Sequence, residues 1–326
     1  MVRSADGQHR TGVGPDKYVA ALQEEQSLLW VDMQGELPEV CEPILREIFH
    51  FHPLAIDDAL QESHVPKVDD WDEYLYLVLH AIVLNPDADS DPIATQELDV
   101  FFGRNYVVTH HDVAIKAVDQ VWDHVQRDDR PLAHGADRLL YHLVDELVAG
   151  YMPLAEEMDD EIDRLEAEIL AAPTSANLER ILRMKHGLHH MRRIIGPQRE
   201  VLNKLARGDY PAIDPPDRMF FRDVYDHLVR LYDINESMRD LVSDTLSTYL
   251  SVVNNRMNGI MKTLTAITTL FMPISFVASF FGMNYFQPAE RSLLGWTSLP
   301  PFVLTILAMI LLPTAMFLWV RRRGWM

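Results

Sequence analysis

The chain has 326 residues, 48% of them apolar, which is enough for one large domain or two ordinary ones around a packed core and excludes a disordered chain. Acids outnumber bases 49 to 29, for a formal charge of -20, so the basic surface needed to bind phosphates is lacking and any ionic partner is a cation, not a nucleic acid. A single cysteine, Cys41, excludes an intrachain disulfide framework and fits a reducing compartment.

The first 26 residues hold no apolar stretch of signal-peptide length, which places the N-terminus in the cytosol. Segments 27–33 (SLLWVDM), 74–84 (YLYLVLHAIVL), 97–103 (ELDVFFG) and 105–111 (NYVVTHH) are rich in β-branched and aromatic residues and predict strands. Between them, PEVCEPILREIF (38–49) and residues 112–126 have helical spacing. An α/β domain over residues 1–130 follows. Beyond it the pattern is helical over 136–171 and again over 175–206, with AAPT as the turn between them. A third helix is expected from about Pro216, a suitable N-terminal proline. Its positions Val224, Leu228, Leu231, Asn235, Met238, Val242, Thr245, Tyr249 and Val252 step by four and three. That is coiled-coil spacing, and it requires either another copy or the two preceding helices as partner.

No proline interrupts this helix before Pro273, so it runs into LTAITTLFMPISFVASFF, Leu264–Phe281. About 65 residues of continuous helix would be roughly 100 Å long. The charge-free segment alone covers roughly 27 Å, close to the thickness of a hydrocarbon core. A second charge-free segment, FVLTILAMILLPTAMFLWV, occupies Phe302–Val320. Soluble helices of this length carry a polar face, so two membrane spans are expected in place of a buried hairpin. RRRGWM follows the second span directly and favours the cytosolic side. Both termini are then inside, and residues 284–301 turn over on the outer face. Charge is divided accordingly: residues 1–256 hold 24 bases and 48 acids, and the remainder holds a single acid, Glu290.

Within and just before the first span, Met261, Thr265, Thr268, Met272, Ser275 and Ser279 share one helical face, opposite Ile267, Leu270, Ile274 and Phe281. Small and hydroxyl residues suit close packing of membrane helices, and the same stripe suits a pore lined by copies of this helix. Periodicity leaves both open. The tripeptide Gly282-Met283-Asn284 in FFGMNY, at the outer end of the first of two spans, resembles the signature of the CorA family of divalent-cation channels. HPLAIDDAL (52–60), VPKVDDWDEYLYLVLHA (65–81), EEMDDEIDRLEAEIL (156–170) and FFRDVYDHLVRLYD (220–233) are similar to family segments, so the resemblance extends from about Trp30.

The resemblance implies an α+β membrane protein that assembles as a homopentamer in the bilayer. It implies an N-terminal α/β cytosolic domain (1–130), a helical stalk or funnel (131–258), a pore-lining first span (259–283), an outer loop (284–301), a second span (302–321) and a basic cytosolic tail (322–326). By position it assigns Gly282, Met283 and Asn284 to a selectivity filter, and Asn258, Met261, Leu264, Thr268, Met272 and Ser275 to the pore and its gate. Mg2+ prefers oxygen ligands and gives up water reluctantly, so a ring of Asn284 amide oxygens would bind the hydrated ion, and apolar Leu264 and Met272 would resist wetting. Co2+ and Ni2+ are further candidates as cargo. The family's regulatory Mg2+ between subunits corresponds to Asp58 and Asp223, with Asp57 and Asp145 beside them.

Two departures stand out. After the tripeptide the chain reads FQPAERSLLGW, with Glu290 displaced and Arg291 beside it, where the family has an acidic loop; Ser275 and Ser279 stand where threonine and glycine are frequent. The nearest alternative is a zinc transporter of the same superfamily, similar to ZntB, with His50, His52, His110, His111, His189 and His190 as donors, but their spacing fits no compact zinc site. A membrane-anchored enzyme is the alternative of another class. The chain has no glycine-rich phosphate loop, no HExxH and no nucleophile elbow, so no catalytic residue is assigned and no enzyme is expected.

Overall fold

All four expected strands form, and they share one sheet with three short strands whose sequences carry little signal. In the computed structural model, which describes residues 1–4, 9–24, 27–61, 64–85, 91–128, 130–282 and 299–322, the strands are β1 (Val2–Arg3), β2 (His9–Arg10), β3 (Leu28–Gln34), β4 (Lys67–Asp70), β5 (Leu75–Leu84), β6 (Ile93–Gly103) and β7 (Tyr106–His111). Their spatial order is β2-β1-β3-β7-β6-β5-β4. β3 and β7 pair in parallel and the other neighbours antiparallel. The helices are α1 (Tyr18–Gln23), α2 (Pro38–Pro43), α3 (Pro53–Gln61), α4 (Lys116–Arg127), α5 (Arg130–Ala133), α6 (Ala136–Ala149), α7 (Tyr151–Ala171), α8 (Ser175–Arg207), α9 (Arg218–Phe281) and α10 (Leu299–Arg322). The chain divides into two units, Met1–Leu246 and Ser247–Met326.

In the first unit the sheet is covered on both faces, which is why β5 reads as a continuous apolar run and not as an alternation. On one face Leu29, Val31, Tyr76, Phe101 and Val108 pack with Cys41 and Leu45 and with Ala55 and Ile56 of α3. On the other, Trp30 meets Trp122 of α4 edge-on with ring centroids 4.8 Å apart, and donates from Nε1 to Thr109 Oγ1 at 3.1 Å.

β4 pairs only with Leu75–Val78, so β5 from Leu79 onward has an uncovered edge. An unpaired buried backbone group there would be costly. The helices supply the partners: the His80 N–H donates to Gln198 Oε1 of α8 at 3.0 Å, and the His80 carbonyl accepts from the Tyr151 hydroxyl of α7, which in turn accepts from Gln198 Nε2 at 2.8 Å. Gln198 and Tyr151 are both fully buried. Gln198→Leu leaves the His80 N–H orphaned, at a cost of about 2 kcal/mol. The purified protein should therefore melt roughly 4–8 °C lower in a thermal scan, whereas Glu200→Gln should melt with the wild type.

At the end of β7 the buried His111 ring lies between two acceptors, Asp32 Oδ1 of β3 at 3.1 Å and the Val113 carbonyl at 2.7 Å. Both ring nitrogens are engaged as donors when the imidazole is charged. Burial alone would lower its pKa, but the hydrogen bond and charge of Asp32 outweigh it and the net shift is upward from 6.5. A raised folded pKa contributes stability that is complete below the unfolded value of about 6.5 and is lost as pH rises through the folded value. The melting-temperature gap between the wild type and Asp32→Asn should accordingly be widest near pH 6 and close toward pH 9.

The helix expected over 136–171 is two helices. Pro153 has no N–H for the Ala149 carbonyl and its ring opposes that carbonyl, so α6 ends at Ala149 and α7 begins after Gly150. The next turn is where AAPT predicts it: Thr174 caps α8 in a reciprocal capping box with Asn177. The α9 stripe from Val224 to Thr245 is buried inside this unit. Its partner is therefore the preceding helix of the same chain: Asn235 Nδ2 donates to the Leu188 carbonyl at 3.2 Å, Glu236 pairs with Arg192 at 3.3 Å, and Arg199 stacks on Tyr232.

Candidate pore stripe and divalent-cation sites

From Ser247 onward α9 belongs to the second unit with α10. Both are long and apolar enough to cross a membrane. Along α9, Ala266, Thr269, Leu270, Pro273, Ile274 and Val277 are partly covered, and so are Thr305, Ala308, Met309, Pro313, Met316 and Val320 of α10. Both sets repeat at three and four residues, as two helices packed along one seam require. The sequence-predicted pore residues Asn258, Met261, Leu264, Thr268, Met272 and Ser275 are all exposed. At 3.6 residues per turn Leu264, Thr268, Met272 and Ser275 lie roughly opposite the covered seam, whereas Asn258 stands about 90° round from it. The Thr268 hydroxyl donates to the Leu264 carbonyl at 2.9 Å, so its proton is satisfied by its own helix and its oxygen remains an acceptor on that face.

Just after the C-terminal end of α9 Gly282 is exposed and its N–H donates to the Ala278 carbonyl at 2.9 Å. A Cβ there would stand 3.1 Å from that same carbonyl oxygen, closer than ordinary contact. Met283 and Asn284, and with them the FQPAER segment, lie outside the described residues. Toward the other end a groove of about 720 Å³, lined by Asn258, Met261, Lys262, Thr265 and, from α10, Phe317 and Trp319, opens between the two helices. The periodicity of α9 alone had no means of showing it, because part of its wall comes from α10.

The four acids fall into two places in the first unit. Asp57 is exposed and Asp58 half-buried on α3. Asp58 is engaged by Lys67 of β4, Nζ to Oδ2 at 2.5 Å, and His64 Nε2 stands 3.8 Å from its other oxygen. Asp145 on α6 accepts from the Tyr141 hydroxyl at 3.4 Å. Burial pushes its carboxyl above the ordinary carboxylate value, and the charge of Asp223, exposed on α9, adds to the shift. Asp223 thus acts on Asp145 through its charge, while the contacts of Asp58 lie with Lys67 and His64. Among the described residues no three His, Cys, Asp or Glu side chains converge on a point that could hold a metal ion.

The histidines weighed as zinc donors are dispersed over other partners. His111 binds Asp32, His110 Nδ1 lies 3.6 Å from Asp99, His190 Nδ1 lies 2.9 Å from Asp91, and His52 stacks on Trp71. Sequence reasoning passed over Lys67 although it stands in the quoted VPKVDD; a lysine between acids on a short edge strand was the available signal.

Residues 25–322 match the family model described as CorA-like Mg2+ transporter protein. The chain belongs to this family. The cobalt/magnesium transport protein CorA of Thermotoga maritima is 33% identical over 311 residues, covering 94% of this chain and 86% of that protein. The zinc transport protein ZntB of Yersinia pseudotuberculosis is 24% identical over 324 residues, covering 97% and 92%. The solved CorA magnesium transporter of Methanocaldococcus jannaschii superposes with a TM-score of 0.79 at 24% identity, covering 93% of this chain and 92% of the other, a likeness that concerns the fold. As a CorA-like protein, the chain is a divalent metal ion transporter with an N-terminal α/β domain, one long helix shared by stalk and span, and two candidate membrane helices. Its fold class stands as expected from the sequence to that extent.

Proposed function

We propose that the protein is a channel for Mg2+, with Co2+ and Ni2+ as lesser cargo, built from five copies whose first spans surround the pore. The observation that carries this reading is the division of α9 in the membrane. One face is partly covered, and the face roughly opposite keeps Leu264, Thr268, Met272 and Ser275 exposed and available to other copies, while Asn258 and Met261, also exposed, border the groove toward α10. Residues 259–283 would line the path, 284–301 would lie outside and 302–321 would return. Residues 1–130, 131–258 and 322–326 would be cytosolic, as the arginines after the second span favour.

In this arrangement Gly282, Met283 and Asn284 form the outer filter, where neutral oxygens hold a hydrated ion without stripping it. Leu264 and Met272 form apolar constrictions, and Asn258 a polar ring at the inner end. Regulation is assigned to Asp58 of one copy and Asp223 of the next, with Asp57 and Asp145 in support. Their carboxylate oxygens suit a hard cation, and Asp223 is exposed to a neighbour. A bound Mg2+ would supply the positive charge that lets the two acids face each other. Without it they repel, and adjacent copies loosen.

The reading is tested by flux into vesicles at clamped potential with one ion varied at a time. Saturable Mg2+ influx, inhibited by Co2+ and little affected by Zn2+, is expected. Zn2+ carried in preference to Mg2+ would place the chain with the zinc-transporting relatives instead.

A further inference from the structure

Asp58 is not a free carboxylate within the chain. Lys67 Nζ stands 2.5 Å from its Oδ2, in a pocket where Lys67 is 27% and Asp58 32% exposed, and the same ammonium lies 3.0 Å from Asp69 Oδ2. It also sits over the Tyr76 ring, 5.3 Å from the centroid. Lysine therefore has two acidic partners and an aromatic face, and it can leave Asp58 for Asp69 without losing its ion pair. A divalent cation approaching Asp58 meets that ammonium first, and the two cations repel at such range.

We infer that Lys67 is a tethered competitor for Asp58, which sets the concentration at which Mg2+ binds and which neutralises Asp58 when the ion is gone. This rests on the reading of Asp58 as a regulatory acid. It adds a feature that a pair of facing carboxylates lacks: emptying the site hands Asp58 to an internal cation and does not leave a bare charge. Asp69 supplies the resting place for the ammonium when Mg2+ arrives.

The test is the Mg2+ concentration that gives half-maximal protection of the intact, purified protein from limited proteolysis. Lys67→Gln should lower that midpoint by about two- to fivefold, the loss of a partly exposed ion pair. Lys67→Arg, which keeps the charge, should hold the wild-type midpoint. Melting temperatures measured without Mg2+ show whether each variant is folded. If the wild type is protected and Lys67→Gln has the same or a higher midpoint, Lys67 does not compete and the inference is overturned. If the wild type itself gains no protection from Mg2+, the regulatory reading of Asp58 fails, whatever Lys67 does.

Discussion

Asn284→Ala should abolish Mg2+ uptake into vesicles while the protein inserts and assembles in normal amounts. The filter proposed here has no carboxylate: the segment from Leu264 to Asn284 carries no acid. Capture must therefore come from neutral oxygens acting on the water shell that Mg2+ keeps. Each Asn284 amide oxygen contributes one hydrogen bond, worth about 1 kcal/mol net, and five copies lose five together. The combined loss lowers capture by on the order of a thousandfold, below detection in an ordinary flux assay. The change removes a side-chain amide and leaves the rest of the chain as it was, so assembly should be spared. Asn284→Asp makes the opposite change. A ring of carboxylates should bind cations more tightly and lose the distinction between Mg2+ and Ca2+. Full transport by Asn284→Ala would remove Asn284 from the filter.

How much of this was legible before the fold was known depends on whether a residue's partners are near in sequence. The strands at 28–34, 75–84 and 106–111 announce themselves through β-branched and aromatic runs, and the one at 93–103 does so only from residue 97, its first four residues IATQ giving no such signal. β4, with the sequence KVDD, does not, because an edge strand is marked by charge and not by apolarity. The end of α6 was written in Pro153, but the apolar period continues across it and hides the break. On α9 the face opposite α10 could be read residue by residue, since one helix carries it all. The Lys67–Asp58 pair could not, because it depends on β4 lying against α3, a contact set by the sheet. Nor could periodicity choose between self-association and neighbouring helices for the stripe from Val224 to Thr245. The structure chooses α8, through Asn235 and Leu188.

Asp58→Ala combined with Asp223→Ala should abolish the protection that Mg2+ gives against proteolysis of the segment joining α8 to α9, so that cutting proceeds equally fast with and without the ion. Two bare carboxylates about 4 Å apart would repel by about 4 kcal/mol at an effective dielectric of 20, a repulsion that Lys67 beside Asp58 partly offsets and a shared divalent cation converts to attraction. With both acids gone neither the repulsion nor the ion's hold remains, and copies should pack alike at every Mg2+ concentration. Within one chain Asp223 lies beside Asp145, whose carboxyl it pushes up, and Asp58 pairs with Lys67. The single changes should therefore differ. Asp223→Ala relieves Asp145, which can take over part of the binding and leave weak protection; Asp58→Ala leaves Lys67 paired with Asp69 and no acid in its place, and should leave none. Unchanged protection in the double variant would show that Mg2+ steadies the assembly elsewhere, and the gating role of both acids would fall with it.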